Sequence, residues 1–338
     1  MKILIVKTSA LGDVIQSFSV LNDLHARFPG VRVDWVIEQS LLSLVAAHPL
    51  IHRAIPRQDL QALRAEKYDL LFDLQGNCKS GLVTFLARSR KKIGFGRRSV
   101  REWPNLLATH VHINVPPRLN MRLQYLALVQ SYFQKNIELT PQVRFSISPA
   151  EQEKLNEILV LPGRKIMVCP GSKWRNKQLR PDVWVAFLHK VIDRLSASLL
   201  IVGEERSAFP ELFAAFPQAI FLEKPSFPLW QNAMSAVDLV LAVDSSALHL
   251  CGTTETPSFS FFGPTRPELF KPIGAQHGHI HGRCPYGRTF EKQCPLLRSC
   301  PTGACLRELE AEELFERFNL FKFIQITEPT ESRLTSLY

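Results

Sequence analysis

The sequence predicts an α/β protein built from two doubly wound units in tandem. Three observations carry that reading. Short apolar runs alternate with helical patterns through the first half, and the same alternation begins again after about residue 155. The length of 338 residues also exceeds what one ordinary hydrophobic core encloses.

Residues 3–6 (ILIV) read as the first strand, ahead of a helix from about 12 to 28. A strand at 31–37 leads into apolar helical spacing at 41–47, and another at 68–74 leads into a helix at 79–87. Runs this short, each followed by a helical stripe, mark parallel strands joined by helical crossovers. Val115-Pro116-Pro117-Arg118 then precedes a helical stretch to about Phe133, and a weakly patterned linker occupies about 140–160. The second unit opens with a strand at 165–169 and a helix at 181–195, with Pro181 in the first turn, where its missing N–H costs nothing. Strands at 198–202, 239–243 and 258–262 follow, with a helix from Ser246. A Glu-rich amphipathic helix at about 306–318 comes last, and 327–338 is polar. The expected division is 1–155, 156–320 and a tail at 321–338.

With 46% hydrophobic and 21% charged residues the chain is globular rather than disordered. No apolar run approaches the roughly 18–20 residues of a membrane span. The first seven residues are too short a run for a secretory signal, so a cytoplasmic protein is expected. A net charge of +10 favours polyanionic partners: nucleic acid, an anionic membrane face or phosphorylated substrates. No block of five like charges stands out, which argues against a nucleic-acid tail. Cys78, Cys169 and Cys251 lie singly in apolar contexts, whereas Cys284, Cys294, Cys300 and Cys305 crowd into 22 residues. These four are candidate metal ligands, but they lack the CxxC pairs of common zinc sites, and no metal is expected to be required.

Three strand-to-helix turns carry chemistry. In Lys7-Thr8-Ser9-Ala10-Leu11-Gly12-Asp13-Val14 a strand gives way to a helix start whose N–H groups attract anions. Asp13 there either complements the helix dipole or places a carboxylate where α/β folds put their reactions. In Pro170-Gly171-Ser172-Lys173-Trp174-Arg175-Asn176-Lys177 a glycine, a hydroxyl and three cations suit a diphosphate, or else form a solvated basic loop. In Val243-Asp244-Ser245-Ser246-Ala247-Leu248-His249 two serines of capping type begin a helix, with His249 one turn in. Phe262-Gly263-Pro264-Thr265 ends the next strand, and Glu205 follows the strand at 198–202 as a carboxylate for a ribose hydroxyl or a solvated charge. Neither GxGxxG nor GxxxxGK[ST] occurs at these turns, which weighs against dinucleotide and ATPase loops.

In order and spacing these motifs resemble the ADP-heptose–lipopolysaccharide heptosyltransferases, glycosyltransferase family 9. KTSALGDV resembles the family's N-terminal motif, PGSKWRNK its phosphate loop, and VDSSALHL its D-[TS]-G-x-x-H element, with Ser246 in place of the Gly. Leu179-Arg180-Pro181 stands where the family has Trp-Pro, and Asp73-Leu74-Gln75-Gly76-Asn77-Cys78-Lys79-Ser80 is more similar to heptosyltransferase I than to II. The cysteine-rich segment is more similar to heptosyltransferase II relatives.

The resemblance implies a GT-B fold, two Rossmann-like doubly wound domains facing across a cleft, with acceptor in the first and nucleotide sugar in the second. It implies inverting transfer of heptose from ADP-heptose to the Kdo and inner-core region of lipopolysaccharide, with no cofactor beyond the donor. Asp13 would be the catalytic base and Lys177 the diphosphate lysine. Gly171, Ser172, Lys173, Glu205, Asp244, Ser245, Ser246 and His249 would surround the donor. Ser9, Gly12, Lys79, Arg118 and Arg122 would face the Kdo–lipid A acceptor, and basic residues would hold the enzyme peripherally at the anionic inner membrane. Three rivals stand beside this reading. One is a related transferase with another nucleotide sugar or a protein acceptor; the others are a nicotinamide oxidoreductase and a non-catalytic nucleotide- or nucleic-acid-binding protein.

Overall fold

A computed structural model describes residues 1–140 and 143–321. The chain divides into two compact units, Met1–Ser146 and Ile147–Tyr338. Expectations for the tail at 322–338 lie outside the described residues.

The first unit runs β1 (Lys2–Val6), α1 (Leu11–Ser17), α2 (Ser19–Arg27), β2 (Arg32–Ile37), α3 (Leu42–Ala46), β3 (Arg53–Pro56), α4 (Leu60–Ala65), β4 (Lys67–Asp73), α5 (Cys78–Leu86), β5 (Arg88–Phe95), β6 (Val111–Ile113) and α6 (Met121–Tyr132). Its strands form one sheet in the order β3-β2-β1-β4-β5-β6, with every pairing parallel. Ile3, Leu4, Ile5 and Val6 of β1 are all buried, as a central strand covered on both faces requires. The single helix expected over 12–28 is broken at Phe18. The Ser17 hydroxyl donates to the Val14 carbonyl and that of Ser19 to the Gln16 carbonyl, a back-bonding that bends helices.

The second unit runs α7 (Pro149–Leu159), β7 (Arg164–Cys169), α8 (Pro181–Leu195), β8 (Ala197–Gly203), α9 (Pro210–Ala215), β9 (Ile220–Glu223), α10 (Phe227–Ala236), β10 (Leu239–Val243), α11 (Ser246–Cys251), β11 (Ser258–Phe262), α12 (Pro267–Phe270), β12 (His277–His281), α13 (Ala304–Arg307) and α14 (Ala311–Asn319). Its sheet order is β12-β11-β10-β7-β8-β9, again parallel throughout. Where the sequence reads as a linker, α7 forms instead. Ser148 and Glu151 close a reciprocal capping box around Pro149, and Leu155 and Ile158 are buried on a helix that packs against α10. The helix expected at 306–318 is two, α13 and α14.

Each sheet therefore has its first and fourth strands side by side at the centre, the Rossmann-like order in which the winding direction reverses. The carboxyl ends of β1 and β4 meet at one switch point, and those of β7 and β10 at the other. Among the described residues no helix is long and apolar enough to cross a membrane.

The second unit is held by an aromatic cluster. Phe187 of α8 meets Phe261 of β11 and Phe318 of α14 edge-on, each with ring centroids 5.6 Å apart, and Trp184 lies 5.0 Å from Phe261. Phe187→Ala removes the ring shared by these elements and should cost ~3–5 kcal/mol of stability. Chemical denaturation checks this, and a loss below about 1 kcal/mol would show that the cluster does not hold the unit.

Candidate active site

In the first unit the loop after β1 carries Ser9 and leads into α1, where Asp13 sits in the first turn. Its carboxylate is 29% exposed and lies 4.0 Å from the ammonium of Lys7, which is itself buried. Lys7 also stands over the ring of Tyr125, 4.8 Å from the centroid. The Tyr125 hydroxyl donates to Asp13. Burial, then the charge and hydrogen bond of Asp13, push the phenol well above its ordinary pKa, so it stays a donor. A partly exposed carboxylate oriented in this way has the geometry to accept a proton.

The switch point is cross-braced. The Ser9 N–H donates to Gln75 Oε1 at 3.2 Å, tying the loop after β1 to the loop after β4. That second loop is shaped by buried Asp73, which accepts from the Gln75 and Gly76 N–H groups at 2.9 and 3.0 Å and from the Thr84 hydroxyl and Asn105 amide. Gly76 adopts φ +68°, which favours glycine, and Phe95 stands 3.1 Å from where a Cβ would be. Gly12 is half-buried beside Asp13. Lys79 is exposed on α5 and Arg118 is exposed ahead of α6. Arg122 differs from these two cations: it is buried in the first turn of α6, the helix that packs on α1 and α2.

In the second unit the loops after β7, β10 and β11 converge. Asp244, 2% exposed, is the hub. Lys177 Nζ donates to its Oδ2 at 2.6 Å, the Thr265 hydroxyl donates to the same oxygen, and His249 Nε2 lies 3.8 Å from Oδ1. The Ser172 hydroxyl donates to the Asp244 carbonyl at 3.5 Å. Burial raises the Asp244 carboxyl, but the charges of Lys177 and His249 and the bonds from Lys177 and Thr265 outweigh it and hold the group below its ordinary pKa. The phosphate-type loop is braced as well, by the Gln178 amide donating to the Ser172 carbonyl at 2.6 Å. Gly171 lets the Phe209 ring approach to 3.3 Å from its Cβ position.

Ser245 caps α11 by position, yet its hydroxyl makes no capping bond; it is buried and unpartnered. The first N–H groups of α11, from Ser246 on, have no intrahelical acceptor. An ammonium with spare protons, a free hydroxyl and free N–H groups thus gather at the switch point, a set suited to an anionic group. Lys173 is exposed against the Trp174 ring. Glu205 is exposed just past β8, accepting from the Ser207 hydroxyl and pairing with Lys224 at 3.6 Å. Neither belongs to the cluster around Asp244. Thr265 and Tyr125 also belong to the two sites; the FGPT turn signals Thr265 in sequence, and no motif signals Tyr125.

Cys284, Cys294, Cys300 and Cys305 are free thiols lining one cavity of about 350 Å3. Burial, then the other three thiols, pushes Cys305 up to about 11, while the Gly303 N–H and Thr302 hold Cys300 below its ordinary value. Among the described residues no three His, Cys, Asp or Glu side chains are grouped as a metal ion requires.

Residues 57–299 match Glycosyltransferase family 9 (heptosyltransferase). The chain is 26% identical over 323 residues to lipopolysaccharide heptosyltransferase 1 of Pseudomonas aeruginosa, covering 87% of each chain. It is 29% identical over 292 residues to lipopolysaccharide heptosyltransferase 1 of Campylobacter coli, covering 78% of this chain and 84% of that one. Among solved structures, E. coli heptosyltransferase WaaC with ADP superposes with a TM-score of 0.75 at 20% identity, over 95% of this chain and all of the other.

The site makes a pH prediction. Because Asp244 is held below its ordinary 3.8, the stability it contributes is present above that pH and is lost as pH falls through the lower folded value. Asp244→Asn should therefore flatten the acid limb of the stability–pH curve, followed by circular dichroism. An unchanged acid limb would mean the carboxylate is not held as described.

Proposed function

The chain belongs to glycosyltransferase family 9, the heptosyltransferase family, and from that premise we propose that it moves a heptose from ADP-heptose to the Kdo-bearing inner core of lipopolysaccharide, inverting the anomeric centre. The observation that carries the donor half is the Lys177–Asp244–Thr265 cluster beside the unpartnered Ser245 hydroxyl.

In this scheme Asp13 accepts the proton of an acceptor hydroxyl while that oxygen attacks the anomeric carbon. The bond from that carbon to the diphosphate oxygen breaks on the opposite face, and its electron pair leaves with ADP. Lys7 and Tyr125 aim Asp13 from buried positions, and a base so placed contributes roughly 10²–10⁴-fold. Lys177 spends one N–H on Asp244 and turns the others to the diphosphate, joined by the Ser245 hydroxyl, by that of Ser172 once it turns from the Asp244 carbonyl, and by the N–H groups that open α11. Asp244 is a positioning residue: neutralised in place, it fixes the ammonium rather than meeting the donor. Glu205 is the carboxylate assigned to the ribose. Gly171, Lys173, Ser246 and His249 complete the donor surroundings; Ser9, Gly12, Lys79, Arg118 and Arg122 belong to the acceptor side. The enzyme works peripherally at the cytoplasmic face of an anionic inner membrane, where its lipid-linked acceptor resides.

Release of ADP from ADP-heptose, with and without a Kdo-bearing lipid A acceptor, tests the reading. Acceptor-dependent turnover is expected, reduced about 10²–10⁴-fold in Asp13→Ala with ADP affinity retained. Lys177→Ala is expected to lose ADP affinity as well as turnover. Tight ADP binding without turnover would move the enzyme to another acceptor or sugar, and no ADP binding would overturn the reading.

A further inference from the structure

The four most exposed large apolar side chains of the first unit fall on two adjoining elements. Leu82 and Phe85 are 61% and 67% exposed, and Trp103 and Leu107 are 69% and 78% exposed. The first two lie on α5 and the others on the 3-10 turn Trp103–Ala108, and these two elements pack together. The helix shows an inverted economy. Its inner face holds Ser80, Gly81, Val83 and Thr84, while Cys78, Leu82 and Phe85, at i, i+4 and i+7, face outward. Solvated helices place polar residues at such positions.

The patch is rigid. The Asn105 amide donates to the Asn77 carbonyl at 3.0 Å and to the Ser80 hydroxyl at 3.2 Å, locking the turn against the start of α5. Gly81 sits so close to Asn105 that a Cβ would come within 3.2 Å of its amide. The patch is also ringed by cations. Lys79 shares the exposed side of α5; Lys92 donates to the Phe85 carbonyl at 3.0 Å with its ammonium 5.9 Å from that ring; Arg101 stands two residues before Trp103. From 79 to 118 the chain carries nine Lys or Arg and one acid, Glu102, so the stretch that holds the patch is strongly cationic. Glu102 is occupied locally, accepting from the Cys78 N–H at 2.8 Å.

We propose that the outer face of α5 and the Trp103–Ala108 turn form a docking surface for an anionic lipid bilayer. Leu82, Phe85, Trp103 and Leu107 enter the boundary between headgroups and acyl chains, and the surrounding Lys and Arg meet lipid phosphates. The partner follows from charge and chemistry together. Trp and Phe side chains beside cations suit the amphipathic boundary of a membrane, and the excess of cations in this stretch favours an anionic counterpart. The surface lies on the helix entered from the Gln75–Asn77 loop, which is bonded to Ser9, so docking would set the Asp13 end of the unit near the bilayer. This rests on the membrane-peripheral reading above and gives it a location.

The test is co-sedimentation of the full chain with vesicles of phosphatidylethanolamine and phosphatidylglycerol, against vesicles of phosphatidylcholine alone. The expected result is binding to the anionic vesicles only, weakened as salt rises. A variant combining Leu82→Ser, Phe85→Ser, Trp103→Ser and Leu107→Ser should bind on the order of tenfold more weakly or worse, with ADP affinity in lipid-free solution unchanged. Wild-type binding by that variant would overturn the surface, and no binding of wild type to anionic vesicles would overturn the docking itself. Equal binding to phosphatidylcholine would overturn the role of the cations. A concentration-dependent dimer in solution, abolished by the variant, would assign the patch to a second copy of the chain and overturn the lipid proposal. ADP titration keeps the outcomes separate, because failure of the transferase reading appears there whatever the vesicles do.

Discussion

Asp244 sits almost wholly out of water at the carboxyl end of β10, and an anion placed there has to be neutralised where it stands. That requirement organises the second unit's site. It brings Lys177 in from the loop after β7 and Thr265 from the loop after β11, and it sets His249 within 3.8 Å. Three loops far apart in the chain are thereby pinned at one point. The ammonium is held with protons to spare, and the Ser245 hydroxyl and the start of α11 are left open beside it.

The first unit solves the opposite problem with the same sheet order. There the carboxylate, Asp13, is partly exposed, and the buried groups are the ones that aim it, Lys7 and Tyr125. A buried acid that fixes a cation suits the binding of charge, and an accessible acid aimed by buried partners suits the acceptance of a proton. One architecture used twice has thus produced two chemically different switch points, with the brace between Ser9 and Gln75 in one corresponding to the Lys177–Asp244 pair in the other.

Local patterns were legible in sequence where the signal is local. The strands at β10 and β11 and the helix at α8 stand where their apolar runs and Pro181 put them. What sequence missed has physical reasons. β5 reads RSRKKIGF, and its charged first half hides a strand beside the sheet edge. α7 reads as linker although Ser148 and Glu151 spell a capping box, because its apolar stripe is only Leu155 and Ile158. The motif residues at the turns were identifiable, but not the bonds joining them: that Lys177 grips Asp244, or that Tyr125 reaches Asp13, depends on sheet order rather than on spacing. Arg122 reads as one more surface cation in sequence and is buried because α6 packs on α1 and α2.

In the proposed scheme Asp244 acts on the donor through Lys177. A double-mutant cycle of Lys177→Met and Asp244→Asn, read as the ADP dissociation constant by calorimetry, tests it most directly. Each single change is expected to weaken ADP, and the double variant to be no worse than Lys177→Met alone, a coupling of about 0.5–3 kcal/mol. Additive losses would contradict it, because they would mean that Asp244 contributes to ADP binding independently of the ammonium it holds.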